Sequence, residues 1–287
     1  MGIRKNQASL TSAERAAFVA AVKTLKATGV YDTFVAQHRA AFMASPNDPA
    51  HNGPAFLPWH REYLRRFERA LESIDSSVSL PYWDWTVDNS SASSLWGVGF
   101  MGGDGDGAGG RVTTGPFAYA TGTWPLTVLD PGETDPFLTR AFGAMGALPT
   151  PPAVDSALDV VPYDAAPWNF ESSGNTSFRR RLEVSIHNPG HMWVGGSMMA
   201  MSSPNDPVFW LHHCNIDRLW AQWQHDHPEE AYLPPSGTPG VVAGHALDDP
   251  MPPWAGEPMP PTPRSVLDHH ALGYQYDDEP QPRSAGT

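Results

Sequence analysis

The hydrophobic positions of this chain recur with helical spacing in a few separate segments. Four such segments predict helices, at about residues 12–28, 31–44, 56–73 and 204–226. A Thr11-to-Glu14 capping box precedes the first of them. Between and after these segments, residues 80–180 and 227–287 are rich in Gly, Pro and polar residues, which is typical of loops. The pattern therefore predicts a mainly α fold with long irregular loops and few short strands.

The chain shows no internal repeat of fixed period, and its 287 residues suffice for one large hydrophobic core. We therefore expect a single domain over residues 1–287. The segment after the fourth helix is predicted to be an extended strap over the domain. Its end, about residues 277–287, is expected to be a flexible tail.

Histidines lie on the inward faces of the predicted helices. His38 shares a stripe with Phe34, Val35 and Phe42, and His60 shares one with Leu64, Phe67 and Leu71. In the fourth helix, adjacent histidines 212 and 213 project about 100° apart, so only one of them can face a common centre. A buried imidazole needs a partner for its ring nitrogens, because burying a polar group unpaired is costly.

The third predicted helix also has a charged face. We expect solvent exposure for six of its residues: Arg61, Glu62, Arg65, Arg66, Arg69 and Glu72. Glu68 lies two turns after His60, and it is predicted either to orient a histidine or to form a salt bridge.

A further histidine pair, His187 and His191, has the four-residue spacing by which two side chains on one helix face bind one metal ion. Pro189 and Gly190 between them disfavour a regular helix, so either the helix begins at Asn188 or the turn is irregular. A zinc-protease motif is excluded, because Asn188 stands where that motif needs a glutamate.

Six histidines are therefore candidates for metal ligands, in two groups of three: His38, His51 and His60, and His187, His191 and His213. Three neutral imidazoles suit copper, zinc or iron, and two such groups on packed helices hold two metal ions. The alternative is six independent core histidines. The single cysteine, Cys214, excludes intramolecular disulfides and cysteine-rich metal sites.

Charge and hydropathy exclude several kinds of partner. The formal net charge of −13 argues against binding to nucleic acid or to an anionic membrane surface. No run approaches the 18 apolar residues of a membrane span. The polar N-terminal stretch does not resemble a signal peptide, so we expect a cytoplasmic protein or one exported with a partner.

Two stretches resemble the copper signatures of the tyrosinase family of type-3 dicopper proteins. The first runs from His51 through Phe56-Leu57-Pro58-Trp59-His60-Arg61 to Leu64 and Glu68. The second is Asp206-Pro207-Val208-Phe209-Trp210, followed by His213 and Asp217. The similarity extends from about Arg4 to Tyr276, and it is greatest to short tyrosinases of Streptomyces.

This resemblance implies a four-helix bundle whose core holds two copper ions. Copper A would be bound by His38, His51 and His60, and copper B by His187, His191 and His213, while His212 would lie beside the ligands without binding. In the family, the copper pair binds O2 as peroxide, hydroxylates monophenols at the ortho position and oxidises o-diphenols to o-quinones. No cysteine lies near His51, so the thioether cross-link of some members is absent, and Cys214 is expected to be a buried thiol.

The resemblance also assigns roles beside the metal. Glu183 and Asn188 occupy the positions that, in bacterial members, hold a water that deprotonates the incoming phenol. Such a base is needed because a phenol has a pKa near 10. The alternative for Glu183 is an ion pair with Arg179 or Arg180.

A methionine-rich loop, residues 197–201, follows the second histidine pair. Met199 and Met192 are predicted to gate the substrate entrance. Because flexible thioethers can admit rings of different shape, the identity of the substrate is not determined by the sequence. The competing functions are an o-aminophenol oxidase giving quinone imines in secondary metabolism, and a haemocyanin-like O2 carrier. In bacterial relatives a small helper protein delivers copper and carries the export signal, so such a partner is expected here.

Overall fold

Helices dominate the computed structural model, which describes residues 2–107, 109–168 and 176–279. In these ranges the helices are α1 (Ser12–Ala27), α2 (Val30–Met43), α3 (Phe56–Ile74), α4 (Pro151–Leu158), α5 (Phe178–Leu182), α6 (Asn188–Val194) and α7 (Val208–Asp226). The predicted mainly α fold is confirmed. The fourth predicted helix begins later than expected, at Val208, because a short 3-10 turn, Ser203–Asn205, precedes it.

Strands are few and short, as predicted. β1 (Gly2–Arg4) pairs in parallel with β4 (Tyr274–Tyr276), and β2 (Gly105–Asp106) pairs antiparallel with β3 (Arg111–Val112). The first pair joins the two ends of the described chain.

The core of the bundle lies where α3 packs against α7. The rings of Phe67 and Trp210 stack with centroids 3.6 Å apart and planes 7° apart. Both residues are fully buried, which removes a large apolar area from water. This packing fixes the two helices that carry His60 and His213.

Two predictions about exposed and buried faces were wrong. Arg61 and Glu62 were expected to face solvent, yet both are buried. The Arg61 Nε donates to Asp217 Oδ1 at 2.6 Å, and its guanidinium lies 3.7 Å from the centroid of the Trp220 ring. Phe42 was expected to face inward, and it is 40% exposed. Helical spacing does not reveal that a distant carboxylate will pair with a buried arginine.

The salt bridge predicted for Glu68 is present. Arg4 donates from Nη2 to Glu68 Oε2 at 2.9 Å and from Nη1 to Asp217 Oδ2 at 3.1 Å. Tyr276 Oη also donates to Asp217 Oδ2. These groups are buried, so the N-terminal strand, α3 and α7 are joined by one charged network.

The segment after α7 crosses the domain as an extended strap. Trp59 Nε1 donates to the carbonyl of Pro252 at 2.6 Å, and the Trp254 ring packs on Trp59 with centroids 5.2 Å apart. None of the helices described is long and apolar enough to cross a membrane. From residue 280 onward, the predicted flexible tail (277–287) lies outside the described residues.

Candidate metal centre

The first histidine group comes together from two helices and the loop between them. His38 lies on α2, His51 in the loop and His60 on α3. The three residues can each place a ligand nitrogen within 4.8 Å of the others. The centroid of the His51 ring lies 4.9 Å from that of the His38 ring and 5.1 Å from that of the His60 ring.

One nitrogen of each ring in this group is held by an oxygen. His38 Nδ1 donates to the carbonyl of Met201 at 2.9 Å, and His60 Nδ1 donates to the carbonyl of Phe56 at 2.8 Å. His51 Nδ1 donates to Asp48 Oδ2 at 2.9 Å. Because Nδ1 carries the proton in each bond, Nε2 keeps the lone pair that binds a metal ion.

In the second histidine group, the Nε2 atoms lie close together. His187 Nε2 and His191 Nε2 lie 3.1 Å and 3.2 Å from His213 Nε2. The Nδ1 atoms of His187 and His191 donate to Asn188 Oδ1 at 2.9 Å and to the carbonyl of Met198 at 2.7 Å. The Nε2 atoms of the three rings therefore converge on one point, as a shared cation requires.

The conflict between His187 and Pro189 is resolved by a change of helix type. A π turn, Glu183–His187, follows α5, and α6 begins at Asn188 with Pro189 in its first turn, where a missing N–H costs little. Both alternatives predicted from the sequence are thus present together. Single π turns inside helices frequently occur at functional sites.

His212 is the neighbour of this second group. Its Nδ1 accepts a hydrogen bond from Trp85 Nε1 at 2.9 Å, and its ring stacks on that of His187 with centroids 5.1 Å apart. The ring lies against Gly190, where an added Cβ would be 2.2 Å from His212 Cε1. The glycine that disfavoured a helix at this point is therefore required by the packing of His212.

Five of the six candidate ligands are neutral at physiological pH. Burial, together with neighbouring histidines, holds the pKa of His38, His60, His187 and His213 well below the usual value. Burial lowers the pKa of His191 to about 4. A neutral imidazole is the form that binds a metal ion.

These residues fit a pair of metal ions. Nε2 of His38 and of His60 is buried without a hydrogen-bond partner among the residues that the structure describes. Buried ring nitrogens rarely lack a partner, and a cation supplies one. The two groups adjoin, since the rings of His60 and His213 stack with centroids 4.4 Å apart.

A cavity of about 320 Å³ opens onto both groups. It is lined by His38, Phe42, His51, Asn52, Glu183, His187, Asn188, His191, Met192, Met198, Met199, Ala200 and Ser203. Its volume is in the range of small-molecule sites. The two residues predicted to hold the water, Glu183 and Asn188, and the two predicted to gate the entrance, Met192 and Met199, therefore lie around one opening.

Glu183 is held on both carboxylate oxygens. Arg179 Nη1 donates to Oε2 at 2.8 Å, and the backbone N–H of Asn52 donates to Oε1 at 2.6 Å. The ion pair foreseen as the alternative for Glu183 is thus present, with Arg179. It does not remove Glu183 from the cavity, because each carboxylate oxygen can accept a second hydrogen bond.

Several residues that shape the site were not predicted from the sequence. Asp48 holds His51, Trp85 holds His212, and Asn52 holds Glu183. Only Asp48 had a local signal, since an Asp three residues before a candidate ligand is placed to orient it. The others depend on contacts between distant parts of the chain.

Cys214 is buried, as predicted. Burial raises the pKa of its thiol to about 12, so the thiol stays protonated and unreactive.

Two groups of three histidines that meet at one cavity inside a helical core define a protein with a dinuclear metal centre. Residues 28–226 match the family model described as the common central domain of tyrosinase. The chain belongs to the tyrosinase family.

Similar proteins agree with this assignment. The chain is 51% identical over 277 residues to a tyrosinase of Streptomyces antibioticus, covering 94% of this chain and 97% of the relative. It is 41% identical to grixazone synthase of Streptomyces griseus, covering 96% and 99%. A functional unit of octopus hemocyanin has the same fold, with a TM-score of 0.66 and 23% identity over 97% of this chain and 68% of that one.

Family membership makes the chain a tyrosinase-type oxidoreductase with a dinuclear copper site. The hemocyanin likeness extends to the fold alone, because its sequence identity is low. The predicted enzyme class is confirmed. The helical fold by itself does not identify the activity, because the hemocyanin unit shares it.

Proposed function

We propose that this enzyme uses O2 to hydroxylate monophenols at the ortho position and to oxidise o-diphenols to o-quinones. In this proposal His38, His51 and His60 bind one copper ion, and His187, His191 and His213 bind the other. The observation that supports it most directly is which nitrogen of each imidazole ring is hydrogen-bonded to the protein. Five of the six Nδ1 atoms donate to protein oxygens, which leaves the corresponding Nε2 lone pairs for metal.

When bound, the copper pair supplies O2 activation, and the protein supplies geometry and a protected cavity. Carbonyl oxygens of Met201, Phe56 and Met198 hold three of the six rings. Backbone acceptors fix a ring more firmly than mobile side chains do. The ligand positions are therefore set before metal arrives, which limits the reorganisation that binding requires.

Asn188 and Glu183 are proposed to hold the water that takes the phenol proton. Asn188 Oδ1 accepts from His187 Nδ1, so its amide NH2 group is left to donate to a water oxygen. The water can then donate to a free lone pair of Glu183. Both side chains line the cavity, which supports a position beside the incoming phenol.

Met199 and Met192 are proposed to control which rings enter. Met199 is 45% exposed at the cavity, and Met192 extends towards Gly146, where an added Cβ would be 3.8 Å from its Cε. Flexible thioethers adapt to rings of different shape. The relationship to grixazone synthase keeps o-aminophenol oxidation as a second candidate, with the same copper ligands and a different ring in the cavity.

Oxygen uptake by the copper-loaded enzyme distinguishes these candidates. Tyrosine, a catechol and an o-aminophenol are compared at equal concentration, with copper-free protein as the control. We expect uptake with tyrosine and with the catechol. Uptake with the ortho-substituted rings only would replace the monophenol proposal by o-aminophenol or catechol oxidation, and reversible O2 binding without any turnover would favour a carrier.

A small copper-delivering helper protein, and export in its company, are proposed from the family resemblance. The alternative is residence in the cytoplasm. Loading purified copper-free enzyme with free copper salt tests the need for the helper. Full activity without any second protein would remove that need.

A further inference from the structure

His245 connects the strap after α7 to the loop that carries His51. The residue is 1% exposed, and both of its ring nitrogens are used. Nε2 donates to the carbonyl of Asp48 at 3.0 Å, while Nδ1 accepts from the backbone N–H of Ala55 at 3.2 Å. One side chain thus bridges the two ends of the loop 48–55, about 190 positions away in sequence.

The loop is shaped to receive this ring. A Cβ at Gly53 would lie 2.4 Å from His245 Cε1 and 2.5 Å from its Nδ1, so only glycine leaves room for the imidazole. Tyr232 Oη donates to the carbonyl of His245 at 2.7 Å, which fixes its backbone as well. The ring is therefore held from both sides.

Asp48 transmits this contact to His51. Its Oδ1 accepts from the N–H groups of Ala50 and His51 at 2.8 Å and 3.1 Å, and its Oδ2 accepts from His51 Nδ1 at 2.9 Å. His245 holds the main chain of the same aspartate. His38 and His60 are positioned by helices, whereas His51 lies in a loop. The hydrogen bonds through Asp48 therefore orient His51.

Burial lowers the pKa of His245 to about 4, so its ring is neutral near neutral pH. A neutral imidazole has one donor and one acceptor, which is what Asp48 and Ala55 require. Phenylalanine of similar size would keep the packing and lose both hydrogen bonds, and glutamine would keep a donor and an acceptor.

We propose that His245 is a positioning residue for copper binding, which acts through Asp48 to orient His51. The proposal rests on the proposed function, in which His51 is a ligand. Residues that hold a ligand from behind change metal affinity by about 10–100-fold when they are replaced. The predicted consequence is a selective effect on one of the two copper ions.

Copper retention against a competing chelator tests this role in the full-length protein. The comparison uses His245→Phe, His245→Gln and Gly53→Ala, in which the new methyl group displaces the ring. His227→Phe is the matched control, since His227 also donates from Nε2 to a carbonyl, that of Leu158, away from the metal centre. Copper content is measured by elemental analysis, and the Tm of each copper-free variant is measured beside it.

We expect His245→Phe and Gly53→Ala to keep one copper ion and to bind the second about 10–100-fold more weakly. His245→Gln should lie closer to the native protein, and His227→Phe should keep both ions. Native affinity for both ions in His245→Phe would overturn the proposal. So would equal weakening of both ions in His245→Phe and His227→Phe, which indicates general destabilisation.

His51→Ala, measured in the same series, separates this inference from the proposed function. Loss of one copper ion in His51→Ala with native behaviour in His245→Phe refutes the positioning role alone. Retention of both ions in His51→Ala refutes the ligand assignment itself.

Discussion

The ring of His212 occupies the space that a side chain at Gly190 would need, with Cε1 only 2.2 Å from the position of an added Cβ. His191, the residue after this glycine, and His213, the residue after His212, are both proposed copper ligands. The contact between two non-ligands therefore sets the distance between two ligands on different helices.

Gly190→Ala should push α6 away from α7. Although alanine favours a helix, we expect a net destabilisation of about 1–3 kcal/mol, because overpacking a dense interior forces shifts of the backbone. Urea unfolding of the copper-free protein measures the loss of stability. The copper content measures the effect of the helix displacement on metal binding. Gly256→Ala is the control, since nothing lies within 4 Å of an added Cβ there. Unchanged stability and copper content in Gly190→Ala would show that His212 has room to move.

Removing one ligand should remove one copper ion. We expect His60→Ala and His213→Ala to lose one equivalent of copper and all oxidase activity, because each takes one of three nitrogens from a site. Elemental analysis and oxygen uptake give the two readouts. His225→Ala is the control, as an exposed histidine on the same helix as His213. Full copper content and turnover in either ligand variant would contradict the assignment.

Asn188→Ala should affect monophenols more than o-diphenols. The amide is proposed to hold the water that removes the phenol proton, and a positioned proton acceptor contributes roughly 100-fold or more to a rate. We therefore expect the ratio of kcat/KM for a monophenol to that for its diphenol to fall by at least about tenfold. An equal decrease for both substrates, at full copper content, would remove the proposed role of the water.

Asp217→Asn should be strongly destabilising. Its carboxylate accepts from Arg61, Arg4, Tyr274 and Tyr276 in the buried interior. Arg4 keeps its pair with Glu68, but leaving the buried Arg61 without a carboxylate partner costs about 3–5 kcal/mol. Chemical denaturation at neutral pH measures the loss. Asp226→Asn, at an exposed position of the same helix, should change the free energy of unfolding by less than about 0.5 kcal/mol.

The same aspartate predicts an acid limit to stability. Burial alone would raise the pKa of Asp217, but Arg61 and Arg4 outweigh it and lower the pKa to about 2. A folded-state pKa below the unfolded value near 3.9 contributes about 2 kcal/mol, which is complete above the unfolded pKa and is lost as the pH falls towards 2. Asp217→Asn should therefore show a smaller loss of stability between pH 5 and pH 2 than the native protein. An identical loss would assign the acid sensitivity to other groups.

Met199→Ala should widen the entrance to the cavity. We expect kcat/KM for phenols with bulky ring substituents to rise by up to about tenfold relative to that for phenol, since each methylene in a pocket is worth about 1–3 kcal/mol of discrimination. Met259→Ala serves as the control, because Met259 is 88% exposed and lies outside the cavity lining. A ratio that does not change would exclude Met199 as the gate.

The helices and the histidines were predictable because their signals are local. Apolar spacing and the Thr11 cap placed α1 within one residue of its observed end, and His38 and His60 lie on the inward stripes that their neighbours indicated. The sequence also showed the conflict between His187 and Pro189. It did not show that a π turn resolves that conflict.

The rest could not be predicted because it depends on pairs far apart in the chain. Arg61 looked like a surface residue on a charged face, and its partner Asp217 is 156 positions away. His245 is not part of a recognisable sequence motif. Its role in holding the loop 48–55 becomes visible only when the strap is seen to lie against Gly53 and Asp48. Such contacts follow from the tertiary fold, which spacing within one helix does not encode.

The pairing of β1 with β4 has a consequence for synthesis of the protein. Gly2 pairs with Tyr274, and Arg4 with Tyr276, so the charged network around Asp217 includes residues from both ends of the described chain. During translation the bundle helices leave the ribosome before their buried arginines have all their partners. The hydrogen bonds that the Tyr274 and Tyr276 hydroxyls donate to Asp217 therefore form only after all four charged residues of the network, Arg4, Arg61, Glu68 and Asp217, have been synthesised.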